Sequence, residues 1–296
     1  EAGLYQIFSG DGNISGTPKV DKFYPQWWGA KGDGVTDDTQ AIIKARNLAS
    51  QNNGIVFFPP GTYLISGDIG NTDGITTCHY LGPISAFNRF ADPLIATIKV
   101  THTNAPALTV RSNQVVGNLC FSYEHADIEN PTAYPASIYI KGISGHFFNL
   151  SFNDCYKAIE CADQPDSYSG HGGFIAENIS ISGFYRGFIL DYTIEISYLN
   201  NIIMTVTSGG TTFRDNNFIG IESKRTDALF ASNVFQYGGK IFLSKTAGST
   251  GNGLTHYLVN FRCENVLQSI FANAGSSIIV SNSSFSKRTG AGRHVQ

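Results

Sequence analysis

Three acids lie in short alternating runs where the neighbouring residues are of the kind that face a core. In Ala158-Ile159-Glu160-Cys161, Ile159 and Cys161 point inward and Glu160 outward; in Phe188-Ile189-Leu190-Asp191, Leu190 points in and Asp191 out; in Gly220-Ile221-Glu222-Ser223, Ile221 points in and Glu222 out. Two carboxyl groups flanking one bond are the usual equipment for cleaving a glycoside: one protonates the leaving oxygen, and the other activates water or attacks the anomeric carbon. Asp191 and Glu222 are the favoured pair, with Glu160 in support. Tyr156, Tyr185 and Tyr192 could stack on sugar rings, and Arg186, Lys224 and Arg225 could hold an acidic or acetylated saccharide. If the polymer contains uronic acid, the same groove could instead carry out β-elimination, with Lys224, Arg225, Tyr192 or His171 taking the C5 proton.

These acids are distant in sequence, so they meet only if the chain returns repeatedly to one wall. An asparagine followed by an alternating apolar pair recurs at Asn118, Asn149, Asn178, Asn201, Asn233 and Asn260, and Asn282 closes the series. The intervals are 31, 29, 23, 32, 27 and 22 residues. Such a loose period, about 20 to 30 residues, is what stacked coils of unequal loop length produce. Asparagine suits a coil corner because it tolerates left-handed dihedrals, and its amides can hydrogen-bond up and down a ladder. Asn216-Asn217-Phe218 reads as a further, shorter coil. If loop lengths absorb the unequal offsets from the asparagine column, the three acids share a face, on strands about 4.8 Å apart.

Upstream of this repeat, Thr36-Asp37-Asp38-Thr39-Gln40 places Asp37 as an N-cap with Gln40 three residues on. Ala41, Ile42, Ala45 and Leu48 then recur on one face of a helix of about three turns. Gly54-Ile55-Val56-Phe57-Phe58 and Thr62-Tyr63-Leu64-Ile65 read as strands around a Pro59-Pro60-Gly61 turn. The stretch from Trp27-Trp28-Gly29-Ala30-Lys31-Gly32-Asp33-Gly34-Val35-Thr36-Asp37-Asp38 through Val56-Phe57-Phe58-Pro59-Pro60-Gly61-Thr62-Tyr63 resembles the pectate-lyase-like right-handed β-helix domain that opens many bacteriophage tailspike and tail-fibre depolymerases.

That resemblance implies an all-β fold, a single-stranded right-handed parallel β-helix with a short N-terminal capping α-helix. It further implies a virion tail location, an upstream virion-attachment domain, a homotrimer, and cleavage of a bacterial capsular polysaccharide or O-antigen. Trp27 and Trp28 are then expected to pack at the capped end. The expected division is a connector or β-hairpin over 1–23, the β-helix over 24–286, and a tail or the start of another domain over 287–296. A polysaccharide lyase and a non-catalytic glycan-binding receptor module are the alternative readings.

Composition narrows the remaining classes. The chain has 296 residues, 20 basic against 23 acidic, for a net charge of −3. That near-balance argues against a phosphate-driven nucleic-acid binder. No apolar stretch approaches the roughly 18 residues of a membrane span. The five cysteines show no CxxC spacing and no histidine at zinc-ligand spacing, so buried free thiols are expected, with neither metal nor cofactor. Gly170-His171-Gly172 and Asn71-Thr72-Asp73 echo polygalacturonase signatures, but the companion motifs are missing. A GxSxG elbow is also absent, so a serine esterase has no support.

Overall fold

The computed structural model describes residues 3–10, 12, 14–70, 78–142, 144–161, 172–205, 212–247, 255–273 and 277–288. Its strands are all paired in parallel and fall into three ladders that run the length of a right-handed β-helix. One ladder passes from Lys22–Phe23 through Ile55–Phe57 and His79–Leu81 to the first halves of the long strands Gly145–Cys161, Ile175–Leu190 and Thr193–Thr205, and on to Ile278–Ser281. A second begins at Asp33–Asp37 and Gly61–Ile65, continues through Ala96–Val100 and Leu119–Tyr123, and ends at Ser284–Lys287. The third stacks Leu108–Val110, Ala136–Ile140, 157–161, 186–190, Ile219–Ser223, Ile241–Lys245 and Gln268–Ala272.

The corner between the first two ladders is the asparagine column. Asn118, Asn149, Asn178, Asn201, Asn233, Asn260 and Asn282 all have φ between 47° and 58°. Their amides form a chain: the Nδ2 of Asn149 donates to Asn118 Oδ1 at 3.0 Å, Asn178 to Asn149 at 2.9 Å, and Asn201 to Asn178 at 2.7 Å. Asn233 reaches instead to Asn200 at 3.1 Å, after which Asn260 donates to Asn233 at 2.9 Å and Asn282 to Asn260. Apart from the break between Asn201 and Asn233, each side chain thus satisfies the next at a corner where an L-residue with a Cβ is otherwise strained. Asn216 and Asn217 are not a coil corner; they end a short helix that leads into Ile219–Ser223.

Inside the third ladder, Leu108, Ile138, Ile159, Phe188, Ile221, Leu243 and Ile270 form one fully buried row. Alternation along each strand sends the next residue outward. All five cysteines are free and buried, four of them in the main core and Cys120 in a separate small cluster with Ala86 and Ile95.

Helix α1, Thr39–Ser50, covers the open edge of the first coil with the buried face Ile42, Ala45, Leu48 and Ala49. Its N-cap is Asp38 rather than Asp37. Asp37 accepts from the Thr39 amide at 3.0 Å, whereas the buried Asp38 carboxylate turns back to the Lys31 and Gly32 amides at 2.7 and 3.0 Å. Both acids therefore close the turn that feeds the helix. Trp27 and Trp28 pack at this end, where Phe8 lies 5.0 Å from Trp28 and the Trp27 indole donates to Gly3. Ahead of Lys22–Phe23 the described residues form no hairpin; Ile7 and Phe8 both donate to the Trp27 carbonyl. No helix among the described residues is long and apolar enough to cross a membrane.

Candidate active site

The third ladder carries the acids. Its outward row next to the buried one is Thr109, Tyr139, Glu160, Ile189, Glu222, Ser244 and Phe271. Glu160 and Glu222 therefore share a row, separated by Ile189, about 10 Å for two rung spacings. Asp191 points outward, as its place after Leu190 requires, but it stands two residues beyond that row, at the corner where the strand ends. There its amide donates to the Cys161 carbonyl at 2.7 Å, and the Lys224 amide donates to Leu190 on the next coil. The three acids share a wall but not a column, and Glu160 lies apart, held by Lys157 Nζ at 3.0 Å.

Asp191 and Glu222 meet through Lys224. Its amine lies 3.5 Å from Glu222 Oε1 and 4.0 Å from Asp191 Oδ2, so the two carboxylate oxygens are within about 7.5 Å of each other, the sum of those contacts. Both acids are recessed, with side chains 10% and 16% exposed. Asp191 Oδ1 accepts from the Arg225 amide at 3.2 Å. Glu222 Oε2 accepts from Arg186 Nε, and the same guanidinium donates to the carbonyls of Tyr185 and Asn217 at 2.8 and 2.9 Å. Glu222 thus sits between two cations, while Asp191 takes one backbone amide and a more distant amine.

The aromatic residues join this network at one end. Tyr156 and Tyr185 stack with centroids 4.8 Å apart and planes 14° from parallel, and Arg186 lies 3.7 Å over the Tyr185 ring. Phe213, on helix α2 (Thr212–Asn217), approaches Tyr156 at 6.2 Å. Both faces of Tyr185 are therefore covered, so the expectation that it stacks on a sugar is corrected: it offers an edge and a hydroxyl. Tyr192 lies beside Asp191 with φ 63°, and the Arg225 guanidinium is 5.7 Å over its ring. Arg225 also pairs with Asp227 at 3.4 Å. His171 lies outside the described residues.

Beneath the site is a buried polar cluster that the outward-facing acids did not bring to notice. Lys245 occupies the inward row of Cys161, Leu190 and Ser223, is fully buried, and donates to the Lys224 carbonyl. His256 Nε2 is 2.7 Å from Ser223 Oγ, which donates to Thr226 Oγ1, which donates to the Leu190 carbonyl. Burial pulls the Lys245 amine down to about 8, and burial together with the Lys245 charge pulls His256 down to about 4. The signal was present in Ile241-Phe242-Leu243-Ser244-Lys245, where alternation from Leu243 sends Lys245 inward.

With this geometry in place, the relatives become informative. Residues 27–78 match the family of rhamnogalacturonase A/epimerase, pectate lyase-like proteins. The coil superimposes on the N-terminal fragment of bacteriophage Phi29 gene product 12 with a TM-score of 0.59 at 14% identity, covering 88% of this chain and 46% of that one. The fold is a pectate-lyase-like right-handed β-helix. A similar β-helix is the phiAB6 tailspike, solved with oligosaccharides of Acinetobacter baumannii surface polysaccharide, at TM-score 0.56, 13% identity and 88% and 47% coverage. An iota-carrageenase complexed to iota-carrageenan fragments gives 0.53, 16%, and 89% and 59%. In sequence the chain is 25% identical over 302 residues to the non-secreted LysM effector LysM15 of Penicillium expansum, across 91% of this chain. It spans a fifth of that relative's length and roughly half of the solved chains.

Proposed function

We propose that this β-helix is a depolymerase that cleaves a bacterial surface polysaccharide by glycosidic hydrolysis on the wall of its third ladder. The observation that carries the reading is the pairing of Asp191 and Glu222 across Lys224, two recessed carboxylates close enough to flank one glycosidic bond, either directly or with one water between. Asp191, with the fewer charged donors, gives its proton to the leaving oxygen. Glu222, held between Arg186 and Lys224, serves as the carboxylate that attacks or draws a proton from water. Arg186, Lys224 and Arg225 favour a chain bearing acidic groups. Glycan-bound β-helices among the similar structures support a polysaccharide as the substrate, and the phage proteins among them support a tail context.

The finer reading is a homotrimer attached to the virion through an upstream domain. Incubating the protein with acidic capsular polysaccharides while following reducing ends and ultraviolet absorbance tests the reaction. New reducing ends without absorbance are expected. Absorbance from an unsaturated sugar would establish β-elimination instead, and neither signal across the panel would leave a glycan-binding module.

A further inference from the structure

A cleft that the acid pair does not use opens on the same wall, several coils earlier. It encloses about 270 Å³ and its lining includes Asp68, Pro106, Thr109, Arg111, Tyr139 and Lys141. Its position relative to the acids follows from register. Tyr139 lies between Thr109 and Glu160 in the outward row that continues through Ile189 to Glu222. Three rung spacings separate Tyr139 from Glu222, about 14 Å along the coil axis.

The lining has the makings of a site for a charged sugar ring. Tyr139 supplies an aromatic surface with the Lys141 ammonium 5.7 Å from its centroid, and Arg111 adds a guanidinium. Among the described lining residues the one carboxylate, Asp68, is engaged by the protein itself. It accepts from the Gly70 amide at 2.7 Å, the Thr109 amide at 2.9 Å and the Thr109 hydroxyl. Asp68 thus shapes the floor, and Arg111 and Lys141 bring two cationic groups to the described lining. A guanidinium and an ammonium beside an aromatic ring fit a pyranose that carries a carboxylate.

We infer that this cleft is a distal subsite for an acidic sugar ring of the polymer cleaved at Asp191 and Glu222, an inference that rests on the depolymerase reading for the direction of the chain. A glycan lying along the axis spans both sites, so one acidic residue is gripped at Tyr139, Arg111 and Lys141 while a bond several residues away lies at the acid pair. The subsite selects acidic polymers and sets a minimum chain length for binding.

Affinity electrophoresis of the full chain through gels holding polygalacturonate, hyaluronate or neutral dextran tests this apart from catalysis. Retardation by at least one acidic polymer and none by dextran is expected, equally for the Asp191→Asn variant. Lys141→Gln is expected to weaken that retardation at least fivefold, and Lys141→Gln with Arg111→Gln to abolish it, with circular dichroism unchanged. Should Arg111→Gln disturb folding, Tyr139→Leu replaces it with the same expected loss. No retardation of the wild type by either acidic polymer, or full retardation of the Lys141 and Tyr139 variants, overturns the subsite. Retardation without cleavage of any polymer would leave the subsite standing and remove the hydrolase reading; cleavage unaltered by these substitutions would do the reverse.

Discussion

Glu222 and Asp191 differ in what surrounds them more than in what they are. Replacing either with its amide keeps the shape and removes the chemistry. Asp191→Asn and Glu222→Gln are each expected to lower the rate of reducing-end formation by about 100-fold or more. Glu160→Gln, two rungs away and held by Lys157, should keep most of the activity. Glu222→Gln also leaves the Arg186 guanidinium, 11% exposed, without its anion, so a melting curve must accompany the assay. Retention of full activity by both amides would move the site elsewhere on the wall.

His256 gives a second test at this scale, because its neutral form is built into the relay to Ser223 and Thr226. Its folded value of about 4 lies below the ordinary 6.5, so the unfolded chain binds the proton more readily. Stability from this group is fully present above pH 6.5 and is lost as pH falls through about 4, amounting to about 3 kcal/mol. Urea midpoints across that range should fall less steeply in His256→Asn than in the wild type. Identical slopes would mean that the imidazole is solvated in the folded state.

Among the elements, the asparagine corner bears the most repeated burden. Asn178 has φ 55° and takes part in two amide bonds, to Asn149 and from Asn201. Asn178→Ala loses both bonds, about 1 kcal/mol each, and adds about 1 kcal/mol of left-handed strain. Asn178→Gly loses only the bonds, so urea denaturation should rank the wild type above glycine and glycine above alanine. An alanine variant as stable as the glycine variant would show that the corner dihedral costs nothing. This column was legible in the sequence because one residue type does one job at every coil, and α1 was legible from its apolar spacing.

The register of the acids was harder to read. Glu160 and Ile189 each stand eleven residues after their coil's asparagine, whereas Asp191 stands thirteen, so the displacement of Asp191 from the column was encoded in a count. Glu222 stands twenty-one residues after Asn201, because α2 and the segment before it are inserted in that coil. An asparagine at one corner cannot report the length of a loop at another, so inward or outward phase was readable while alignment between coils was not. Tyr156 and Tyr185, by contrast, each stand seven residues after their coil's asparagine, so their stacking was encoded in the same count.

At the scale of the whole molecule, the wall of the first ladder poses a different question from the site wall. Ile175, Tyr198, Phe230, Tyr257 and Ile279 succeed one another in register, and each is between 37% and 51% exposed. Phe230 stacks on Tyr198 at 5.7 Å and on Tyr257 at 4.6 Å, so the rings spend their faces on each other and turn their edges to solvent. A sugar platform needs a free ring face, whereas a continuous apolar stripe of edges suits a protein surface. Side-by-side association of β-helices, as in the proposed homotrimer, would cover it. Light scattering on the purified chain is then expected to give about three times its 32.0 kDa, and Phe230→Glu or Tyr257→Glu to yield monomers with unchanged circular dichroism. A glutamate at either position places a charge in the middle of the stripe, where association would have to desolvate it. A wild-type monomer at every concentration, or a variant of undiminished mass, would show that the stripe is not what joins the subunits.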